Sequence, residues 1–182
     1  MKKFISVITM AIMLGATSVY AAGPNNYVGV KLGAFFPNSD SDGLENFKTG
    51  FNGEIDYGYK FIPNFALEAG VGWYSAVDKD NSDIKVTVVP VTLTAIGILP
   101  IDQIDLIGGV GLGYYSAKAE APGFSEDKGA VGYHLLIGAD YNLTNEVALG
   151  LEGKWFQSKP KFNDTDTDVG GIDLNLGVKY RF

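Results

Sequence analysis

The chain has 182 residues, 46% hydrophobic and 13% aromatic, with 14 basic side chains against 21 acidic ones and no cysteine. The acidic balance argues against nucleic acid as a partner, because no surplus of Lys and Arg is available to neutralise phosphates. The absence of cysteine rules out disulfides and thiolate metal sites, and the length suits one domain with a core large enough to need no staples.

The chain opens on Met1-Lys2-Lys3, then an apolar run, FISVITMAIMLGA, and then TSVYA, which puts Val19 and Ala21 at small-residue positions before a cut. This is the layout of a secretory signal peptide; the apolar run is too short and wrongly flanked for a spanning helix. The expected division is a signal peptide over 1–21, cleaved after Ala21, and a single domain over 22–182. Cleavage would leave 12 basic against 21 acidic side chains, a net charge of −9. The most apolar later stretch, VTVVPVTLTAIGILP, is broken by Thr and Pro. A membrane protein built from this chain must therefore be a closed barrel, which pairs every backbone polar group between strands.

From residue 27 onward the sequence alternates with the period of two of half-buried strands. Eight strands are predicted, at 27–36, 50–61, 65–75, 84–99, 104–116, 130–142, 147–156 and 169–182. In the first, Val28, Val30 and Leu32 share the apolar face. In the second, Phe51, Ile55, Tyr57, Tyr59 and Phe61 oppose Asn52, Glu54, Asp56 and Lys60; in the third, Phe65, Leu67, Val71 and Trp73 oppose Glu68, Gly70 and Gly72. The fourth changes step, with Ile84, Val86 and Val88 apolar on even numbers and Val91, Leu93 and Ala95 on odd ones. Pro90 sits at the crossover, and a β-bulge near Val89-Pro90 would account for both features. The sixth and seventh set Val131, Tyr133, Leu135, Ile137, Val147, Leu149, Leu151 and Trp155 against His134, Asp140, Glu152 and Lys154. The eighth keeps its alternation through Phe182, so the terminus is expected to be tied into a sheet.

Long polar connections (PNSDSDGLENFKT, AVDKDNSD, AKAEAPGFSEDKG, QSKPKFNDTDTD) alternate with tight turns around Ile62-Pro63-Asn64, Pro100-Ile101-Asp102 and Thr144-Asn145. One rim therefore carries four long loops, and the other carries three short turns and both termini.

Alternation alone fits a soluble eight-stranded barrel with its apolar row inside or a membrane barrel with that row outside. Charge decides between them. The polar face carries seven acidic residues (Glu54, Asp56, Glu68, Asp105, Asp140, Glu152, Asp173) and six basic ones (Lys31, Lys60, Lys85, Lys154, Lys179, Arg181), and the apolar face carries none. A narrow lumen needs such a balance, because an unpaired buried charge costs several kcal/mol. It also needs small residues, and Gly70, Gly72, Gly109, Gly111, Gly113, Gly132 and Gly138 lie on the same face. Aromatic residues gather at both ends of the apolar rows, among them Tyr57, Tyr59, Tyr141 and Tyr180 at the short-turn rim and Phe36, Phe51, Trp73 and Trp155 at the loop rim. Such girdles suit two water–lipid interfaces. The expected architecture is an all-β, eight-stranded antiparallel transmembrane barrel with a lumen plugged by paired charges.

With the signal peptide, the short-turn/long-loop rhythm, VVPVTLTAIGILP, LLIGADYNLTNEVALGLEGKW and the terminal LGVKYRF, the chain resembles the small OmpA-like/OmpX-like outer-membrane β-barrel family over essentially its whole mature length. The resemblance implies a place in the bacterial outer membrane, contact with lipid and lipopolysaccharide, and delivery by the outer-membrane assembly machinery. In that family the last strand, ending on an aromatic residue with apolar residues at every second position before it, is the signal that this machinery reads. Leu174, Leu176, Val178, Tyr180 and Phe182 match it. No periplasmic domain is expected after the barrel, so the resemblance does not carry over peptidoglycan anchoring. A fold of this kind hosts many functions.

Candidate chemistry is sparse. His134, the sole histidine, lies on the lumen face near Asp140 and Glu152; some relatives are lipases or acyltransferases, but Leu136, not a serine, stands two positions on and the parity points inward, away from lipid. A hydrogen-bonding histidine is the better reading, and no catalytic residue is assigned. Asp164-Thr165-Asp166-Thr167-Asp168 begins like a calcium loop, but Val169 and Asn175 stand where the loop needs Gly and Glu. It reads as a solvated acidic loop, with weak cation bridging to lipopolysaccharide left open. GGVGLG at 108–113 lies inside a strand with no helix after it, which excludes a dinucleotide loop. No cofactor or metal is expected. Three functions stay open: a monomeric structural or surface-binding barrel with specificity in the loops, a small or gated porin-like channel, and an outer-membrane lipid-modifying enzyme as the least supported.

Overall fold

The computed structural model describes residues 25–38, 47–80, 83–121, 124–159, 161–162, 165–166 and 169–182. The signal-peptide segment with its cut after Ala21, the Asp40-Ser41-Asp42-Gly43 stretch, and Asp164, Thr167 and Asp168 of the acidic run lie outside them. Ten strands follow in chain order: β1 (Asn26–Pro37), β2 (Gly50–Ile62), β3 (Phe65–Val77), β4 (Lys85–Ile101), β5 (Ile104–Ala121), β6 (Phe124–Asn142), β7 (Val147–Ser158), β8 (Lys161–Phe162), β9 (Thr165–Asp166) and β10 (Val169–Arg181). Eight of them close a barrel in the order β1-β10-β7-β6-β5-β4-β3-β2, while β8 and β9 form a separate two-stranded ribbon. Every barrel neighbour is antiparallel, and β1 closes the ring against β10, from Tyr27 opposite Arg181 to Pro37 opposite Gly171.

The apolar rows face outward. Val30, Ile55, Leu112, Ile137 and Leu176 are exposed, Ile137 to 74%, whereas Lys31, Glu54, Glu152, Lys154 and Asp173 are buried, Asp173 to 0% exposure. A soluble barrel would invert this pattern, so the surface is one built to meet hydrocarbon. The short turns are as tight as the spacing requires; Asp102 takes a left-handed conformation (φ 52°), which Asp tolerates better than most residues.

Two expectations about the strands are overturned. There is no bulge at Val89-Pro90. Val71 opposite Val91 and Tyr74 opposite Val88 belong to one continuous register, and β4 stays in register with β5 from Lys85 to Ile101. Pro90, which has no N–H to donate, coincides with a gap in the β3–β4 ladder at Gly72 and Trp73, without shifting it. The apolar residues change parity because the lumen changes character there. Val86 and Val88 point into an apolar section of the interior, and the strand itself keeps step. Lys85 therefore faces outward with the odd-numbered residues, its Nζ 5.8 Å from the centroid of the Trp73 ring. An ammonium with an apolar stem over an interfacial ring suits a rim position. The second correction concerns the third long loop. Most of AKAEAPGFSEDKG continues the β5–β6 hairpin, which pairs as far as Ala121 and Phe124.

With all four long connections on one rim, epitope tags at Ser41, Asn81, Gly123 and Asp166 are expected to be detected on intact cells, and tags at Asn64 and Asn145 only after permeabilisation. Antibody labelling before and after permeabilisation checks this, and a mixed pattern would contradict the placement of the loops.

Candidate functional site

Among the described residues, buried polar and charged side chains converge in the lumen from every barrel strand, and they are layered along the barrel axis. At the loop end, Phe35, Tyr74, Ala76, Val88, Tyr115, Ala117, Phe156 and Val169 form an apolar cap. Phe156 lies at its centre, with ring centroids 5.7 Å from Phe35, 5.3 Å from Tyr74 and 5.2 Å from Tyr115. Phe35 and Phe156 share parity with Lys31 and Lys154, so the strand period places them inside; their apolar character hid them among the charged positions.

Below the cap, two ammonium groups organise the carboxylates. Lys31 Nζ lies 2.8 Å from Glu152 Oε2, 3.0 Å from Asp56 Oδ2, 3.3 Å from Glu68 Oε1 and 3.5 Å from Glu54 Oε1. Lys154 Nζ donates to both oxygens of Glu54, at 2.5 and 2.6 Å, and lies 3.8 Å from Glu152 Oε1. Tyr27 and Tyr74 hydroxyls donate to Glu68 and Glu54 at 2.8 and 3.3 Å. Glu54, Asp56 and Glu68 bring carboxylate oxygens within 4.8 Å of one another, as a metal site would, but the Lys31 ammonium fills the role of the cation there. Asp173, Asn52 and Asn175 are fully buried nearby, with Asn52 and Asn175 flanking Gly33 in one row.

On the turn side, Tyr27, Ala66, Ile96, Ile98, Ile107 and Leu136 form a second apolar cluster. Beyond it Lys179 pairs with Asp140 at 2.7 Å and Arg181 with Asp105 at 3.1 Å, while Arg181 also donates to Asn142 Oδ1 at 2.6 Å. Lys60 lines the wide mouth at this rim, a hollow of about 890 Å³ shared with Asp105, Asn142 and Arg181. A small cavity of about 10 Å³, room for about one water, lies among Lys31, Asp140, Glu152, Asn175 and Lys179.

Of the thirteen charged residues assigned to the lumen from sequence, eleven are buried within it: Lys31, Glu54, Asp56, Glu68, Asp105, Asp140, Glu152, Lys154, Asp173, Lys179 and Arg181. Lys60 stands at the mouth and Lys85 outside. The expected balance of signs is thereby corrected, since seven buried carboxylates face four buried cations. His134 is held by the hydroxyls of Thr94 (2.8 Å to Nε2) and Tyr115 (3.2 Å to Nδ1), so both ring nitrogens are engaged and neither meets an acidic partner. Its ring lies so close to β5 that a Cβ on Gly111 would collide with Nε2.

Leu174, Leu176, Val178, Tyr180 and Phe182, the residues matched to the family's terminal pattern, all face outward, four of them on β10, and the Tyr180 and Phe182 rings stack with centroids 6.2 Å apart.

Comparison with known proteins agrees with this architecture. Among solved structures, the barrel is similar to Neisserial surface protein A (TM-score 0.69, 18% identity, 86% of this chain and 97% of that one). It is also similar to OprG of Pseudomonas aeruginosa (TM-score 0.60, 14% identity, 91% and 99%) and to Ail of Yersinia pestis (TM-score 0.54, 17% identity, 87% and 100%). In sequence it is 30% identical over 199 residues to outer membrane protein A of Shigella flexneri, matching all of this chain and 56% of that protein. The chain thus spans about half the length of that curated relative. The model of the outer membrane protein beta-barrel domain matches residues 7–182, and the chain, an eight-stranded barrel of the bacterial outer membrane, belongs to that family.

Proposed function

We propose that this protein is a non-enzymatic barrel with a structural or surface-interaction role, its lumen shut and its specificity carried by the four long connections. The observation that carries this reading is the pair of barriers in series, the Phe156-centred cap and the Lys31–Lys154 ion cluster. Stranding a desolvated charge costs several kcal/mol, so the ion cluster resists opening pair by pair. His134, spent on two hydroxyls, supports a structural role rather than lipid chemistry.

The family's reading of the last strand extends to β10: Leu174, Leu176, Val178, Tyr180 and Phe182 would present the row that the assembly machinery recognises. For the loop rim, the fold relative Ail has been solved with the heparin analogue sucrose octasulfate. Here the long connections hold twelve acidic and six basic residues, which favours a neutral or basic surface ligand, or lipopolysaccharide phosphates bridged by divalent cations. Pull-down with loop-swapped protein separates these.

A gated cation path is the second reading, favoured by the surplus of buried carboxylates. Conductance decides between the two. The unmodified protein is expected to give only small or flickering events in planar bilayers and no swelling of liposomes diluted into isotonic sucrose; Glu54→Gln with Glu152→Gln is expected to make openings severalfold more frequent. Rapid swelling with the unmodified protein would put the channel first.

A further inference from the structure

The outer surface is not uniformly smooth. A groove of about 770 Å³ crosses the hydrocarbon-facing side, with an almost entirely apolar lining. Its floor follows one hydrogen-bonded row across six strands, Phe65, Gly97, Gly108, Ile137, Gly153 and Leu174, each residue the registered partner of the next. Leu99, Leu106, Ala139 and Leu151 form the adjoining row on the short-turn side.

Half of the floor residues are glycine, and the barrel's own packing does not explain them. Elsewhere on the outer face glycine makes room for a neighbour: Leu32 Cδ2 lies 3.3 Å from where a Cβ on Gly53 would stand, and the Tyr114 ring covers Gly129. At Gly97, Gly108 and Gly153 an added Cβ would meet nothing closer than a carbonyl oxygen, at 3.7, 3.9 and 3.9 Å. A side chain would fit at each, and it would fill the groove.

The course of the groove indicates its occupant. Phe65 is the first residue of β3, at the short-turn rim, whereas Leu174 lies seven residues inside the end of β10. Along tilted strands that climb is roughly 15–20 Å, from one interface to about the middle of a hydrocarbon layer ~30 Å thick. The groove is continuous with the lipid-facing band, and its lining is far smaller than the ~800 Å² per partner of a stable protein interface. We propose that it seats one acyl chain of a membrane phospholipid whose headgroup lies at the short-turn rim beside Asn64. The site is separate from the lumen and the loops, so the proposal goes beyond the functional reading above. With the long loops facing the cell exterior, the lipid would come from the periplasmic leaflet.

The test uses the full barrel in symmetric vesicles of phosphatidylethanolamine and phosphatidylglycerol doped with a phosphatidylethanolamine that carries a mid-chain diazirine, so orientation does not affect the result. After illumination, peptide mapping is expected to find adducts severalfold enriched at Leu99, Leu106, Ile137 and Leu151 over Val30 and Ile55 on β1 and β2, the two barrel strands that the groove does not cross. Gly97→Leu with Gly153→Leu should remove that enrichment while heat-modifiable gel mobility stays that of a folded barrel. If the leucine pair fails to fold, Gly97→Ala with Gly153→Ala and the adduct map of the unmodified protein decide. An even spread of adducts, or enrichment that survives the substitutions, overturns the proposal. Crosslinked barrel dimers lost in the same variants would assign the groove to a second copy instead.

Discussion

Replacing Lys31 with Met is expected to destabilise the folded barrel by about 3–5 kcal/mol, because removing one member of a buried ion pair leaves its partners charged and desolvated. Lys31 meets four carboxylates from β2, β3 and β7. Without it, Glu54 retains Lys154 and Glu68 retains the Tyr27 hydroxyl, but no second ammonium pairs with Asp56 or Glu68 among the described residues. Urea titration of the barrel in lipid vesicles, followed by Trp fluorescence, measures the loss. Adding Asp56→Asn and Glu68→Gln to Lys31→Met should recover most of it, since those changes remove the charges left stranded. A cost below ~1 kcal/mol for Lys31→Met would mean that water reaches the cluster freely and that buried pairing is not what closes the lumen.

The second large effect is expected at Phe156, which is fully buried and stacked within the cap. Phe156→Ala should cost about 3–5 kcal/mol through lost burial and the cavity left among rings that cannot all move inward. It should not open the barrel. The ion cluster beneath remains intact, so conductance should stay near that of the unmodified protein. With the cap intact, Glu54→Gln and Glu152→Gln should raise only the frequency of brief events; sustained openings are expected only when Phe156→Ala is combined with Glu54→Gln, because the two layers block the path in series. Steady conductance from Phe156→Ala alone would show the cap to be the only barrier.

Both expectations depend on residues that were legible to different degrees. The number of barrel strands, the outward apolar rows and the placement of Glu54, Glu152 and Lys154 inside follow from a period of two, which one chain displays without reference to any neighbour, whereas the β8–β9 ribbon within the fourth long connection was not legible. The turn chemistry at Pro63-Asn64 and Asp102 likewise acts over two or three residues. Periodicity could not say what a strand's inward face meets. At Val86 and Val88 the lumen is apolar while the outer face of β4 carries Lys85 and Thr87, so the apolar parity is reversed there, and a parity rule mistakes the change of surroundings for a bulge. The same shift put Lys85 on the wrong side, where only the unbroken register with β3 and β5 shows it over Trp73.

Partnership across the lumen is a further step removed from sequence. Lys31 reaches Glu152, 121 positions away, because closure of β1 on β10 and the stagger of the strands bring those two levels together. Alternation fixes which face a residue occupies, but height along the axis is a property of the closed ring. For that reason the charged residues could be named from the chain, while the three-carboxylate surplus, the aromatic cap and the glycine-floored groove emerged only once eight registers were set against one another.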